Sequence, residues 1–225
     1  MKTLSAKAKI SGFTPIELLV VVVVILIVAI LTLFLLSTMK PPPRPYMVTC
    51  LNNQKQIAVG FIMWRDDNDG KFPWEISSAN NGTMESSEKG DVAPNYSALL
   101  AYVHQPRIFV CPTDTARTVA TNQARVLNQN ASYFVGLDNT NTNPAAGILT
   151  GDRHLKASHM PVGPGLFVYS NGLPMNWTLE LHGNDRNSPM GVISFQDGHV
   201  TAVHGTNTDF VFQNEGLATS RFAVP

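Results

Sequence analysis

A single carboxylate, Glu17, interrupts an apolar stretch that runs from Gly12 and Phe13 through Thr-Pro-Ile-Glu-Leu-Leu and a series of valines, isoleucines and leucines to Leu36. A carboxylate one residue inside such a run costs on the order of 2.5–3.5 kcal/mol on insertion scales when left unpaired at depth. Glu17 is therefore a functional residue by default, one that calls for a cation. Two cysteines, Cys50 and Cys111, follow the run. In an exported compartment they would pair and close a loop of about 60 residues, worth roughly 4 kcal/mol by chain entropy; two separately buried thiols are the alternative.

Other groupings offer chemistry on paper and fail a closer test. Asp66, Asp67, Asn68 and Asp69 before Gly70 suggest calcium, but an EF-type loop counted back from Gly70 puts Arg65 at the first ligand place and Ile76 at the last. A solvated turn after a helix is the reading that survives. Asp152-Arg153-His154 has the residue types of a catalytic set, yet no nucleophile motif accompanies it, and an ion pair pinning a loop accounts for it. His182, His199 and His204 lie near turns and read as hydrogen-bonded surface groups. The chain holds no G-x-S-x-G, H-E-x-x-H, P-loop or paired C-x-x-C pattern. No catalytic residue, metal or cofactor is expected, and the chain is not expected to be an enzyme.

The elements that position these residues begin with the apolar run. From Ile16 to Leu36 it is about 21 residues, and at about 1.5 Å per residue it spans roughly the 30 Å of a hydrocarbon core. It is too long for a secretory signal peptide and offers no small-x-small cleavage site after Leu36. Lys40-Pro41-Pro42-Pro43-Arg44-Pro45 cannot continue a helix, so the membrane helix ends near Met39. From Tyr46 to Arg65 helical spacing returns, with Val48, Leu51, Ile57, Phe61 and Trp64 on one face. Residues 77–97, rich in Ser, Asn and Gly, read as an exposed loop, with a short helix from Asn95 to Val103. Ile108 to Cys111 reads as a buried strand meeting a turn, and Ala131 to Val135 as another, broken over Asn139 to Pro144. Gly191–Phe195 and His199–Val203 flank Gln196-Asp197-Gly198, a hairpin signal in which Asp-Gly suits a type I′ turn.

Lys plus Arg and Asp plus Glu are 16 each, so net charge gives no case for nucleic acid as a partner. Lys2, Lys7 and Lys9 precede the helix while Lys40 and Arg44 follow it. This balance mildly favours an N-terminus in the cytoplasm.

The stretch Lys7-Ala-Lys-Ile-Ser-Gly12 followed by Phe13-Thr-Pro-Ile-Glu17-Leu-Leu-Val resembles the leader and cleavage site of type IV pilins and type II secretion pseudopilins. That resemblance implies cleavage after Gly12 by a prepilin peptidase and N-methylation of Phe13. It also implies an assembly role for Glu17, paired with the N-terminal amine of a neighbouring subunit. Pro15 departs from the family's usual Leu, and the proline break departs from its usually unbroken first helix. Cys50-Leu-Asn-Asn-Gln-Lys-Gln-Ile57, Trp64 to Trp74 and Val110-Cys-Pro-Thr-Asp114 resemble wording in pilin-like proteins of Verrucomicrobia and their relatives. Asp197-Gly198-His199-Val200 resembles the end of the prepilin-type processing-associated domain, although His182 stands farther upstream than that domain's histidine.

The expected architecture is α+β and pilin-like. A leader (1–12), a transmembrane helix (13–40) and a proline-rich break (41–45) lead to a head (46–225), in which an amphipathic helix packs on an antiparallel sheet. The implied function is a structural filament subunit of a type II secretion pseudopilus, with prepilin peptidase, other pilin subunits and the inner membrane as partners and the head in the periplasm. A surface type IV pilus subunit is the alternative. A membrane-anchored exported enzyme or binding module is the rival from another class, and a pocket holding Asp152 and His182 together would argue for it.

Overall fold

A computed structural model describes residues 14–38, 45–121, 125–138, 147–178, 182, 189–205, 208–213 and 219–225. The chain divides into two compact units, Met1–Pro42 and Pro43–Pro225. The cleavage pair Gly12 and Phe13, the prolines at 41–43 and the break expected over Asn139 to Pro144 lie outside the described residues.

The first unit carries α1, Pro15–Thr38. Its start follows from local chemistry. Pro15 occupies the first helical position, where a missing N–H costs nothing and the fixed φ suits the helix. Thr14 precedes it as the cap, and its N–H and hydroxyl both donate to Glu17 Oε2 at 2.8 Å. The Thr14 hydroxyl oxygen in turn accepts from the Glu17 N–H at 3.4 Å, which completes a capping box. Pro15–Phe34 is long and apolar enough to cross a membrane, and none of it is buried within the chain.

In the second unit α2 spans Pro45–Asp66. Cys50, Gln54, Ile57, Phe61 and Trp64, spaced by three or four residues, form its buried stripe. The stripe is rotated from the expected face: Val48 is 54% exposed and Leu51 only partly covered. The polar Gln54 takes an inward place because its Oε1 accepts from the Thr150 hydroxyl, which also pairs with the Ser194 hydroxyl at 2.7 Å. The amide oxygen is satisfied in this way, while Gln54 Nε2 is buried with no hydrogen-bond partner among the described residues.

Residues 77–97 are not the exposed loop their composition suggests. They form a 3₁₀ turn at Ser78–Asn80, the short α3 at Met84–Ser87 and the start of α4, Ala93–Val103. Thr83, Ser87 and Asn95 are buried and hydrogen-bonded to one another. The segment Ile108–Cys111 is buried as expected, but it is no strand. Pro106 starts a 3₁₀ turn over Pro106–Phe109, and the Phe109 carbonyl then accepts from Ser132 N at 2.8 Å.

The sheet has six antiparallel strands in the order β5-β9-β1-β2-β7-β8. They are β1 Tyr133–Gly136, β2 Ile148–Asp152, β5 Gly165–Ser170, β7 Met190–Phe195, β8 Val200–His204 and β9 Thr219–Val224. The inner strands β1, β2 and β7 are buried on both faces, and alternate residues serve two cores. Val135, Leu149, Val192 and Ala223 meet the helical layer of α2 and α4. Phe134, Ile148, Ile193 and Phe222 join a second cluster with Trp177 and Phe212. That second layer holds α5, Thr208–Gln213, and a small sheet ordered β4-β3-β6. Its strands are β3 Leu155–Ala157, β4 Met160–Pro161 and β6 Met175–Trp177.

The expected hairpin joins β7 to β8, with a different turn. Gly198 has φ of +81° while Asp197 does not take a positive φ. Gly198 N donates to the Phe195 carbonyl at 2.9 Å, and Phe195 N donates to the His199 carbonyl at 3.0 Å. This is a three-residue loop ending in a left-handed glycine, not the two-residue type I′ form. Lys55 Nζ of α2 donates to the Gly198 carbonyl and ties the loop to the helix.

Candidate functional site

Two places gather the residues singled out from the sequence, one in each unit. In the first, Glu17 stands in the opening turn of α1 with its side chain held by Thr14, as described. It is the one acidic residue of that turn, and no basic residue closes the helix. Sequence reasoning missed this capping role, although Thr14-Pro-Ile-Glu17 has the T-x-x-E form that precedes an apolar helix.

In the second unit Cys50 comes from α2, and Cys111 follows the 3₁₀ turn at Pro106–Phe109. They are joined as a disulfide with Cα atoms 5.6 Å apart. One turn further along α2, Asn53 Nδ2 donates to the Val110 carbonyl at 3.3 Å and fixes the two segments against each other. Cys111 Sγ lies 3.0 Å from Thr113 Oγ1 and 3.7 Å from His182 Nε2. That same nitrogen is 3.3 Å from Asp152 Oδ2, and the two side chains are 2% and 1% exposed. The second lone-pair region of Asp152 Oδ2 accepts from Val192 N at 2.7 Å.

The triplet Asp152-Arg153-His154 does not converge. Neighbouring residues at a strand end point to opposite sides. Asp152 turns to His182, while Arg153 makes two bonds to Asp114, Nε to Oδ2 at 2.8 Å and the terminal nitrogen to Oδ1 at 2.9 Å. Burial pushes the Asp114 carboxyl up, but the Arg153 guanidinium, with Ser132 and His154 assisting, outweighs it and holds the group below its ordinary value. So the triplet does supply an ion pair pinning a loop, and its partner is an aspartate that sequence reasoning had not placed there. Val110-Cys-Pro-Thr-Asp114 carries both the bridging cysteine and this aspartate.

The remaining histidines divide. His199 is a surface group as expected, with Nδ1 2.7 Å from Asp197 Oδ1 and its ring stacked on Phe195 at 4.1 Å. His204 is exposed. His182 departs from the expectation because its side chain is interior. Asp67 accepts from the Tyr102 hydroxyl at 3.0 Å in the turn after α2.

Asp152 and His182 thus meet, with both side chains almost wholly covered. Three surface grooves on the second unit are lined by other residues, among them one of about 700 Å³ flanked by Asn52, Gln56, Gln105 and Arg107. The pair shares one close nitrogen–oxygen contact, and both atoms are donors of the kind that hold a cation. Comparison of the chain with protein-family models, with characterised proteins and with solved structures returns no match.

Proposed function

We propose that this chain is a structural filament subunit of the pilin type, anchored by α1 in the inner membrane with its head on the periplasmic side and assembled into a type II secretion pseudopilus. The observation that carries the reading is Glu17. It is the one acidic group in an uncharged helix of 24 residues, placed at its first turn. A carboxylate at that depth is unfavourable alone and favourable where a cation reaches it. In a filament the cation is the N-terminal amine exposed on a neighbouring subunit when a prepilin peptidase cuts between Gly12 and Phe13. The α+β head, with α2 laid on an antiparallel sheet and a disulfide locking the helix, suits a subunit that must stay folded while it is drawn out of a bilayer.

The test is intact mass and filament recovery from cells with an active prepilin peptidase. The expected mass lacks the first twelve residues and carries one added methyl, and the chain is expected in sheared filaments. A full-length mass, or a chain confined to the membrane fraction under conditions of filament assembly, overturns the reading. Deleting the gene separates the two filament types: loss of secreted proteins marks a pseudopilus, and loss of surface attachment or motility marks a surface pilus.

A further inference from the structure

From the cluster around the bridge we infer a second state of Cys50 and Cys111, in which the reduced pair binds a zinc ion together with His182 and Asp152. The two sulfurs and His182 Nε2 lie within 4.8 Å of one another. His182 Nε2 is 3.7 Å from Cys111 Sγ and 3.3 Å from Asp152 Oδ2. Tetrahedral zinc, with bonds of about 2.3 Å to sulfur and about 2.0 Å to nitrogen or oxygen, separates its donors by roughly 3.3–3.8 Å. The two separations from His182 Nε2 already have that scale, and the two sulfurs, bonded to each other here, part to it once reduced.

Which nitrogen faces the carboxylate decides the role of Asp152. An orienting carboxylate would sit on the ring nitrogen turned away from the metal. Here one nitrogen faces both the sulfur and Asp152, so a cation placed among them takes the position of the Nε2 proton, and Asp152 becomes the fourth ligand. Asp152 Oδ1 is buried without a hydrogen-bond partner among the described residues, so the carboxylate has capacity to spare. Both cysteines are fully buried, and His182 and Asp152 nearly so. Such closure belongs to a structural zinc centre, since a catalytic one keeps a position open.

The conversion balances with a dithiol as the reductant. The disulfide takes two electrons and two protons from it, giving two thiols, and the dithiol leaves as its own disulfide. On binding zinc the two thiols release their protons to solvent, and neutral His182 keeps its proton on Nδ1. The head would then hold one junction in two ways, by a covalent bond where conditions oxidise and by a metal where they reduce.

The experiment uses the full chain in detergent, oxidised or reduced with a phosphine, and titrated with Zn²⁺ or Co²⁺. Reduced protein is expected to bind one zinc and to gain thermal stability from it, while oxidised protein does neither. Cobalt should give thiolate charge-transfer bands with tetrahedral ligand-field absorption. His182→Ala should weaken zinc binding at least tenfold, in line with the ~10–100-fold that even outer partners of a metal contribute. A purely structural histidine would leave the cobalt spectrum of the remaining sites unchanged. The inference is overturned if reduced wild type binds zinc no tighter than the Cys50→Ser/Cys111→Ser double variant. It is equally overturned if His182→Ala matches wild type, or if the reduced chain is unfolded and zinc does not restore it.

Discussion

Thr14 and Glu17 hold one another across the first turn of α1, the threonine N–H and hydroxyl both donating to one carboxylate oxygen at 2.8 Å. The bond gives Glu17 a role inside its own subunit, separate from any role between subunits, and substitution can divide the two. Glu17→Gln keeps an acceptor at the third helical position and removes the charge. Thr14→Val keeps the charge and removes the cap, at a cost of about 1 kcal/mol in helix stability. If the carboxylate pairs with a neighbour's amine, Glu17→Gln loses filaments while Thr14→Val retains most of them, as read by immunoblot of sheared fractions. The reverse ranking would assign Glu17 to capping alone.

Arg153→Ala is expected to destabilise the head by about 3 kcal/mol at neutral pH, because it leaves the Asp114 carboxylate buried without its cation. The pH dependence carries a sign. In the wild type the folded-state value of Asp114 is depressed, so its stabilising contribution is present above the ordinary carboxylate range and is lost as pH falls through the folded value. In the variant, burial is opposed only by the weaker effects of Ser132 and His154, so the folded value rises relative to wild type and the deficit should shrink as pH drops towards 4. Denaturant melts at pH 7 and pH 4 measure both halves. A deficit that stays constant would show that the pair is not the source.

Removing the bridge with Cys111→Ser, in the presence of a chelator, should cost about 4 kcal/mol by the chain-entropy account, given a sequence separation of 61 between the cysteines. Wild type treated with reductant and chelator should melt alongside the variant. A variant that melts with oxidised wild type would mean that Asn53 and its neighbours hold the junction without the bond.

Glu85 accepts from the hydroxyls of Ser77 and Ser78 and from Ser78 N, the last at 2.8 Å. These bonds, Ser77 foremost, lower its carboxyl from an ordinary 4.5 to about 2. Carbon-detected titration should find this group still ionised at pH 3, when most surface carboxylates are already protonated. Because the folded value is depressed, the clasp is intact above pH 4.5 and lets go as pH falls towards 2. Ser78→Ala should move the titration back towards the ordinary range.

The long elements were legible because they repeat one signal many times. The apolar run gave α1, helical spacing gave most of α2, and two apolar stretches about Asp-Gly gave the β7–β8 hairpin. Finer features depended on partners that no short pattern names. Val48 is left outside the stripe and Gln54 faces inward, where Thr150, far along the chain, donates its hydroxyl to the amide oxygen and pairs in turn with Ser194. Ile108 to Cys111 has the composition of a strand, and Pro106 with the Gln105 junction turns it into a 3₁₀ turn. Asp197-Gly198 fits either of two hairpin loops: both place glycine at positive φ, and they differ in whether the aspartate, which tolerates either sign, takes one too. The meeting of Asp152 with His182 joins a strand end to a residue thirty positions on, a separation no motif spans.

Strand β9 lies between β5 and β1, hydrogen-bonded to both. Until residues 219–224 arrive, β5 has no neighbour in the large sheet and Phe222 and Ala223 are missing from the two cores. A ribosome adding roughly 5–20 residues per second needs several seconds to travel from β1 to β9. Throughout that interval the nascent head holds an unclosed sheet. Vectorial synthesis therefore imposes a delay on folding, and under the proposed topology that delay serves export: α1 is already outside the exit tunnel and available to the machinery that inserts helices, while the head that would cross the membrane has not yet locked into a shape too wide for a translocation channel.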